Sequence, residues 1–351
     1  MSADALRDAL RRLAAGESLS ADETADAFGV VMRGEGSAAQ VAALLMALRV
    51  KGETAPEVTG GARALRAAMI PFPAADPDTL VDTCGTGGGR VATFNISTAA
   101  ALVAAGAGAR VAKHGNRSFT TQCGSADVLE SLGVRIEMRV DEMERVLAEA
   151  GIVFMFAPLM HPAMRHVGPV RRELAIPTVM NILGPLANPA GAGRQVVGVA
   201  DAPRLPLLAD ALAALGSVHA LVVHGEPGMD EVSPLGPTRV LEVRRGTVRE
   251  WTIDPARYGL PSAGPESLAG GTPEENARIV NAVLGGAERG GARSAVVLNA
   301  AAAILVAGLA PDIDAAVQRA GETIDSGAGA AALARLRRAS APREARETAR
   351  R

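Results

Sequence analysis

Cysteine and lysine are nearly missing from this sequence. Two cysteines in 351 residues, Cys84 and Cys123, cannot build a disulfide framework, which excludes a stapled secreted fold and points to a reducing compartment. An excess of one charge is also missing. Lys+Arg 36 against Asp+Glu 38 leaves a formal net charge of −2, which argues against a protein that coats nucleic acid through its overall charge. The most apolar segment, Ala295 to Ala310, is interrupted by Asn299 and falls short of the roughly 18–20 residues of a membrane span. The opening Met1-Ser2-Ala3-Asp4 carries acid where a secretory leader carries base before an apolar stretch. A cytoplasmic protein with no membrane and no nucleic-acid partner is therefore expected. No Cys/His cluster has zinc spacing, and neither His-Glu-x-x-His nor Gly-x-Ser-x-Gly occurs. Among the 36 basic residues only Lys51 and Lys113 are lysines. Arginine is the default surface cation here, so each lysine raises a question about its chemistry.

What is present is core-forming material, 48% apolar against 21% charged, enough for one large or two ordinary domains of about 150 residues. The first seventy residues read as helices. Ser20…Glu23, Ser37…Gln40 and Thr54…Glu57 each have capping-box spacing, and Val41, Leu44, Leu45 and Leu48 form one helical stripe stopped by Gly52. From about residue 79 the rhythm changes. Short β-branched runs at 80–81, 110–112, 152–156, 195–199 and 221–223 alternate with helical stretches at 97–105, 126–132 and 141–150. That pattern predicts strands buried on both faces of a mostly parallel sheet. Arg239 to Ile253 reads as a hairpin or edge excursion around Gly246, and Pro273 to about Ala339 reads as helix. The proline-punctuated segment from Pro158 to Pro189 reads as a return into the helical part, giving two crossings and a hinge. The expected fold class is α/β with a small all-α domain, a mostly parallel sheet flanked by helices and hinged to a helical domain. Residues 1–70 plus 163–190 would form the helical unit and 71–162 plus 191–340 the α/β unit. The last stretch, Arg335 to Arg351, holds seven arginines and two glutamates and reads as a solvated, frayed terminus, with 341–351 set apart as a basic tail.

Ligands of open α/β sheets sit beyond the carboxyl ends of strands, so the residues after each strand are the informative ones. After Leu80-Val81, four glycines in five positions (Gly85, Gly87, Gly88, Gly89) precede Thr93, Asn95, Ser97 and Thr98 at a predicted helix start. Glycine turns and unpaired helix N–H groups suit phosphate. The loop lacks the Gly-Lys-Ser/Thr ending of a P-loop and the register of a dinucleotide fingerprint. After Arg110-Val111-Ala112 come Lys113, His114, Gly115, Asn116, Arg117, Ser118, Phe119, Thr120 and Thr121, a set that offers charge-assisted bonds to phosphate oxygens. His114 could as easily hold the turn as touch a ligand. After Leu221-Val222-Val223 come His224 to Ser233, with adjacent carboxylates Asp230 and Glu231. Such a pair suits Mg²⁺, which binds through few carboxylates, waters and substrate phosphate.

These loops resemble the signature segments of the anthranilate phosphoribosyltransferase family. The likeness rests on Gly85-Thr86-Gly87-Gly88, Thr93-Phe94-Asn95-Ile96-Ser97-Thr98 and Lys113-His114-Gly115-Asn116-Arg117-Ser118. It extends through Gly124 to Glu130, Asn181 to Pro189, Met229 to Ser233 and Leu298 to Ala302. The resemblance implies transfer of phosphoribose from phosphoribosyl diphosphate to the amino group of anthranilate, in tryptophan biosynthesis, by a homodimer that pairs through its helical part. It implies that Gly85, Gly88, Gly89, Thr93, Asn95, Ile96, Ser97, Thr98, the 113–121 loop and Ser125 hold phosphoribosyl diphosphate. Gly85, Asn116 and Arg171 would contact anthranilate, and Ser97, Asp230 and Glu231 would bind Mg²⁺. No residue is assigned as general base.

The chain departs from the family pattern where Gly88-Gly89-Arg90 stands in place of the usual Gly-Asp-Gly, so one carboxylate near the ribose or metal is missing. Thr120-Thr121 replaces a usual serine pair, Pro177 a common arginine and Met229 a leucine. Two alternatives stay open on sequence alone. One is a related transferase or nucleoside phosphorylase with another acceptor. The other is a silent paralogue that binds nucleic acid.

Overall fold

The computed structural model describes residues 4–118, 122–261 and 264–342. Its chain begins with α1 (Asp4–Ala14), α2 (Ala21–Met32), α3 (Ala38–Lys51) and α4 (Ala55–Ala68). The Ser20, Ser37 and Thr54 hydroxyls each accept the N–H three residues on, and the Glu23, Gln40 and Glu57 side chains reach back. All three expected capping boxes are therefore present, each supplying partners for helix N–H groups that have none within the helix. Helices α2 and α4 touch so closely that a Cβ on Gly60 would fall on the Ala21 carbonyl oxygen. Lys51 closes this bundle from inside. Its Nζ donates to Glu57 Oε2 at 3.0 Å, to Ser18 Oγ at 3.3 Å and to the Gly52 carbonyl at 2.7 Å.

Strands and helices then alternate through β1 (Leu80–Gly85), α5 (Ile96–Gly106), β2 (Arg110–Gly115), α6 (Ser125–Ser131), α7 (Val140–Ala150) and β3 (Ile152–Phe156). The short helices α8 (Ala157–Met160), α9 (Gly168–Leu174) and α10 (Met180–Leu183) follow, then β4 (Arg194–Gly198), α11 (Leu205–Ala214), β5 (His219–Gly225), β6 (Thr238–Arg244) and β7 (Thr247–Ile253). Helices α12 (Pro273–Leu284), α13 (Gly291–Val306), α14 (Ile313–Asp325) and α15 (Ala328–Ser340) complete the described chain.

Among the described residues one sheet forms, in the order β3-β2-β1-β4-β5-β6-β7. Strands β1 to β5 pair in parallel and β5-β6-β7 antiparallel. The predicted hairpin is β6–β7, turning at Arg245 and Gly246, both with positive φ, the combination that matches strand twist in a two-residue turn. Side chains alternate between two cores, as a two-residue period requires. Val196, Leu221 and Val223 face a core built with α5, α13, α14 and α15. Val197, Ala220 and Val222 face the other, which joins α11 to α1–α4 and to side chains between Ala163 and Ala187.

The C-terminal reading needs correction. The stretch expected to fray from Arg335 is helical through Ser340, because Leu336, Ala339 and Ser340 are buried. Arg337 Nε also donates to the Leu132 carbonyl. Residues 343–351, most of the basic tail, lie outside the described residues.

Candidate active site

Chain order reverses between β1 and β4, and the carboxyl ends of these two strands meet in register at Gly85 and Gly198. Such a switch point is where an open α/β sheet holds its ligand. Asp230, from the β5–β6 connection, is seated on it. A Cβ on Gly198 would fall on the Asp230 carbonyl oxygen, one on Gly85 would lie 2.5 Å from Oδ2, and one on Gly89 3.0 Å from Oδ1. Gly87 and Gly88 turn the loop with φ 72° and 81°, and the Gly87 N–H donates to Asp230 Oδ2 at 2.8 Å. Glu231, next along, accepts from the Ser97 N–H at 3.2 Å.

These contacts correct one expectation. The sequence suggests that the first N–H groups of α5 are unpaired and open to phosphate, but Ile96 N donates to Phe94 O and Thr98 N to Asn95 O. Ser97 N is held by Glu231, which places the protein's own carboxylate at the positive end of the helix.

Beneath the loop lies a buried charge cluster. Asp82 is fully buried, with Oδ2 accepting from Asn188 Nδ2 at 2.7 Å and Oδ1 from the His114 N–H at 3.1 Å. Lys113 is 3% exposed. Its Nζ donates to the Thr83 carbonyl and lies 3.5 Å from Ser97 Oγ. The second lysine therefore sits below the phosphate-type loop and reaches its surface only across Ser97. Burial lowers its pKa while Asp82 opposes the fall. Burial raises Asp82 and Asp230, and pushes Glu231 up to about 8, with Asp230 as the next cause.

Asp82 and Glu231 thus share one ammonium, while Asp230 is held by the Gly87 N–H with His224 as its nearby charge. Asp230 and Glu231, with the Ser97 hydroxyl beside them, form an oxygen donor set short of positive charge, which fits a hard divalent cation such as Mg²⁺. No group of three His, Cys, Asp or Glu residues able to hold a metal occurs among the described residues. A metal here would draw its remaining ligands from water and substrate, as Mg²⁺ commonly does.

A second group gathers at the end of β2. His114 Nε2 lies 3.2 Å from His161 Nε2, and burial pushes their pKa values down to about 3 and about 4. Ser125 Oγ donates to the Asn116 carbonyl at 3.2 Å, and a Cβ on Gly115 would collide with that hydroxyl. Arg117 Nη1 is held by Asp127 at 2.7 Å and Glu130 at 2.5 Å. The Ser118 N–H points to Asp127 Oδ2 at 3.4 Å. Phe119, Thr120 and Thr121 lie outside the described residues.

Other expected site residues have structural partners. Asn95 joins Cys123 and Asn276, while the Ile96 and Thr98 side chains are buried in the α5 packing. Thr93, half-buried, precedes Phe94, whose N–H donates to Leu268 O. The Cys84 and Cys123 thiols are both raised by burial, Cys123 to about 11; they are packed groups.

Arg171 on α9 stands apart. Among the described residues its half-buried guanidinium has no hydrogen bond or ion pair, and burial lowers its pKa. An arginine so placed can pair with a carboxylate through charge-assisted hydrogen bonds.

Asp82, His161, Asn188, Gly198 and Asn276 escaped the sequence reading. Asp82 and Asn188 carried a usable signal, since each is a polar residue inside or beside an apolar run of the Leu80–Asp82 or Asn181–Pro189 segments. Gly198 and Asn276 carried none.

Residues 77–330 match the family model described as "Glycosyl transferase family, a/b domain", and residues 7–69 match "Glycosyl transferase family, helical bundle domain". The anthranilate phosphoribosyltransferase of Rubrobacter xylanophilus is 53% identical over 335 residues, spanning 95% of this chain and 97% of that one. That of Moorella thermoacetica is 49% identical, over 93% and 96%. Among solved structures, anthranilate phosphoribosyltransferase from Thermus thermophilus superposes with a TM-score of 0.88 at 44% identity, covering 94% of this chain and 98% of that one. The Saccharomyces cerevisiae enzyme in complex with PRPP and Mg gives 0.87 at 28% identity, covering 97% and 98%.

Proposed function

The chain belongs to the anthranilate phosphoribosyltransferase family, and on that premise we propose how its own residues carry the reaction. It is an enzyme that transfers the phosphoribosyl group of 5-phosphoribosyl 1-diphosphate to the amino group of anthranilate, releasing diphosphate, in tryptophan biosynthesis, with Mg²⁺ as cofactor. The observation that carries the residue assignment is Asp230 seated across Gly85 and Gly198 at the switch point, with Glu231 on the Ser97 N–H.

Gly85, Gly88, Gly89 and Thr93 would line the diphosphate and ribose, whose close approach the absence of side chains at the three glycines permits. Asn116, Ser118 and Ser125 would bound the other side. Asn95, Ile96, Thr98, Lys113, His114, Gly115 and Arg117 would fix the loops that do so, through the buried contacts and ion pairs described above. Ser97, Asp230 and Glu231 would hold Mg²⁺, which when bound neutralises diphosphate and favours its departure. Lys113 would supply the fixed positive charge that partly offsets Asp82 and Glu231.

Arg171 would grip the anthranilate carboxylate, with Asn116 and Gly85 close to the ring. The acceptor amine is then held facing the ribose carbon, and orientation replaces covalent catalysis. The C1–O bond breaks with its electron pair leaving on diphosphate, the amine lone pair forms the new C–N bond, and the amine then sheds a proton. No side chain needs to act as general base.

A homodimer, a cytoplasmic location and a hinge between the helical and α/β units complete the reading. Light scattering tests the homodimer. No described helix is long and apolar enough to cross a membrane.

The direct test follows anthranilate fluorescence with purified protein, phosphoribosyl diphosphate and a magnesium titration. Fluorescence should fall only when all three are present. Arg171→Ala should raise the KM for anthranilate about 10- to 100-fold, the worth of a charge-assisted hydrogen bond of roughly 1.5–3 kcal/mol. An unchanged KM would move the acceptor site elsewhere.

A further inference from the structure

Helix α13 is built almost wholly from alanine, valine, leucine and isoleucine and is buried along its length. Asn299, in its middle, is 3% exposed. A buried amide in an apolar helix costs stability unless each polar atom is satisfied. Here Oδ1 accepts from the Val232 N–H at 2.8 Å, and Nδ2 donates to the Val232 carbonyl at 2.8 Å and to the Ala295 carbonyl at 2.9 Å. The opposite amide orientation would set donors against an N–H and an oxygen against two carbonyls, so only one orientation satisfies this environment.

Val232 directly follows the carboxylate pair. It is fully buried, and it lies outside the strands, between β5 and β6. Asn299 therefore plays the part of a neighbouring strand and captures both backbone groups of that one residue. The ends of the segment are held by hydrogen bonds, Met229 N–H to the Gly225 carbonyl at 2.7 Å and Ser233 N–H to Thr238 Oγ1 at 2.9 Å, and the backbone between them by close fit. Gly198 lies against the Asp230 carbonyl and Gly225 against the Glu231 carbonyl, where a Cβ on Gly225 would come within 2.6 Å. Asn299 also lines, with Thr83, Cys84, Ser97 and Glu231, a small cavity directly under the carboxylates.

We propose that Asn299 is a positioning residue for the metal-binding carboxylates. By clamping Val232 it fixes the backbone from which Asp230 and Glu231 project, and it ties them to the helical layer that also carries Ser97. The inference rests on the reading of Asp230 and Glu231 as metal ligands. Helix α13 packs against α5, whose first turn carries Ser97.

The test measures Mn²⁺ binding by electron paramagnetic resonance, the magnesium midpoint of turnover, and thermal unfolding, for Asn299→Leu, Asn299→Ala, Asp230→Asn and Val297→Ala. Val297 is a buried residue of the same helix and serves as the packing control. Outer-shell changes typically weaken metal binding 10- to 100-fold. Both Asn299 variants should raise the Mn²⁺ dissociation constant and the magnesium midpoint at least about tenfold, with the KM for anthranilate unchanged. Val297→Ala should lower the unfolding temperature with no shift in metal binding. If Asp230→Asn shifts metal binding and neither Asn299 variant does, the positioning role is overturned. If Asp230→Asn itself leaves metal binding unchanged, the reading of the metal site fails instead. Should Asn299→Leu not fold, Asn299→Ala, which makes room for a bridging water, carries the comparison.

Discussion

The protein holds its two lysines in two buried charge clusters that are opposites in completeness. In the bundle, Glu57 accepts from the Leu19 N–H at 3.0 Å, the Thr54 N–H at 2.8 Å and Lys51 Nζ at 3.0 Å. One carboxylate meets one ammonium, both oxygens are served, and three segments are locked together. At the sheet, Asp82 and Glu231 share Lys113, Asp230 beside them is held by the Gly87 N–H, and all three carboxyls are raised by burial. The first cluster is finished without a ligand, and the second is left short of positive charge. Structural charge is satisfied inside the fold, while functional charge is held for something the fold does not contain.

The largest effect should come from breaking the finished cluster. Lys51→Met keeps the length of the side chain and leaves Glu57 as a buried charge without its cation. Removing one partner of such a pair costs about 3–5 kcal/mol. Urea unfolding should show that loss, with turnover per folded molecule unchanged. A loss below about 1 kcal/mol, the range of exposed pairs, would mean that Lys51 is not needed as a counter-ion. Asp230→Asn makes the opposite demand on the unfinished cluster. Turnover should fall about 100-fold, as when a single charge-stabilising group is removed. Stability without metal should hold or rise, because one uncompensated carboxylate is gone. A variant that loses stability and activity together would place Asp230 with Glu57, as a structural charge.

How far these clusters could be read beforehand follows from the range of the interactions. The capping boxes at Ser20, Ser37 and Thr54 are three-residue patterns, and each formed as spaced. The strand runs, the hairpin at Gly246 and the candidate loops were equally local. Asp230 in the glycine loop was not, since its partner Gly87 is 143 residues away. No periodicity encodes such a meeting. The buried position of Lys113 escaped for the same reason: a lysine closing a strand looks alike whether it faces phosphate or Asp82. Its rarity raised the question, and only tertiary packing answered it. Asn299 lies between these cases, visible as the polar break in an apolar segment but silent about the loop it clamps.

Titration should separate the clusters next. Glu231 is pushed up to about 8 from an ordinary 4.5, so the folded state binds the extra proton across that interval. Stability attached to this group is present at low pH and is lost as pH rises toward 8. His114 and His161, lowered to about 3 and about 4, act in the other direction, adding stability as pH rises from about 3 to 6.5. Metal-free protein should therefore be most stable near pH 6.5 and weaken toward pH 8. Glu231→Gln should flatten the alkaline limb and leave the acid limb in place. Unfolding temperatures measured in steps of pH check both, and an alkaline limb that survives in Glu231→Gln would assign it to another group.

The smallest effect, and the finest probe of the incomplete cluster, comes from Gly89. A Cβ there would sit 3.0 Å from Asp230 Oδ1 and 3.3 Å from the Gly228 carbonyl, so Gly89→Asp brings a further carboxylate to the side of Asp230. Without metal, like charges about 4 Å apart should lower stability by about 1 kcal/mol where water screens the new side chain. With a divalent cation the same carboxylate becomes an added donor, so the penalty should shrink or reverse and Mn²⁺ should bind more tightly. The substitution thus changes sign with metal, which no purely steric effect of a new side chain would do. Thermal unfolding of Gly89→Asp with and without Mg²⁺ reads that sign directly. An equal loss under both conditions would mean that the new group only crowds Asp230, and that the cation, if bound, lies on the Glu231 side of the pair.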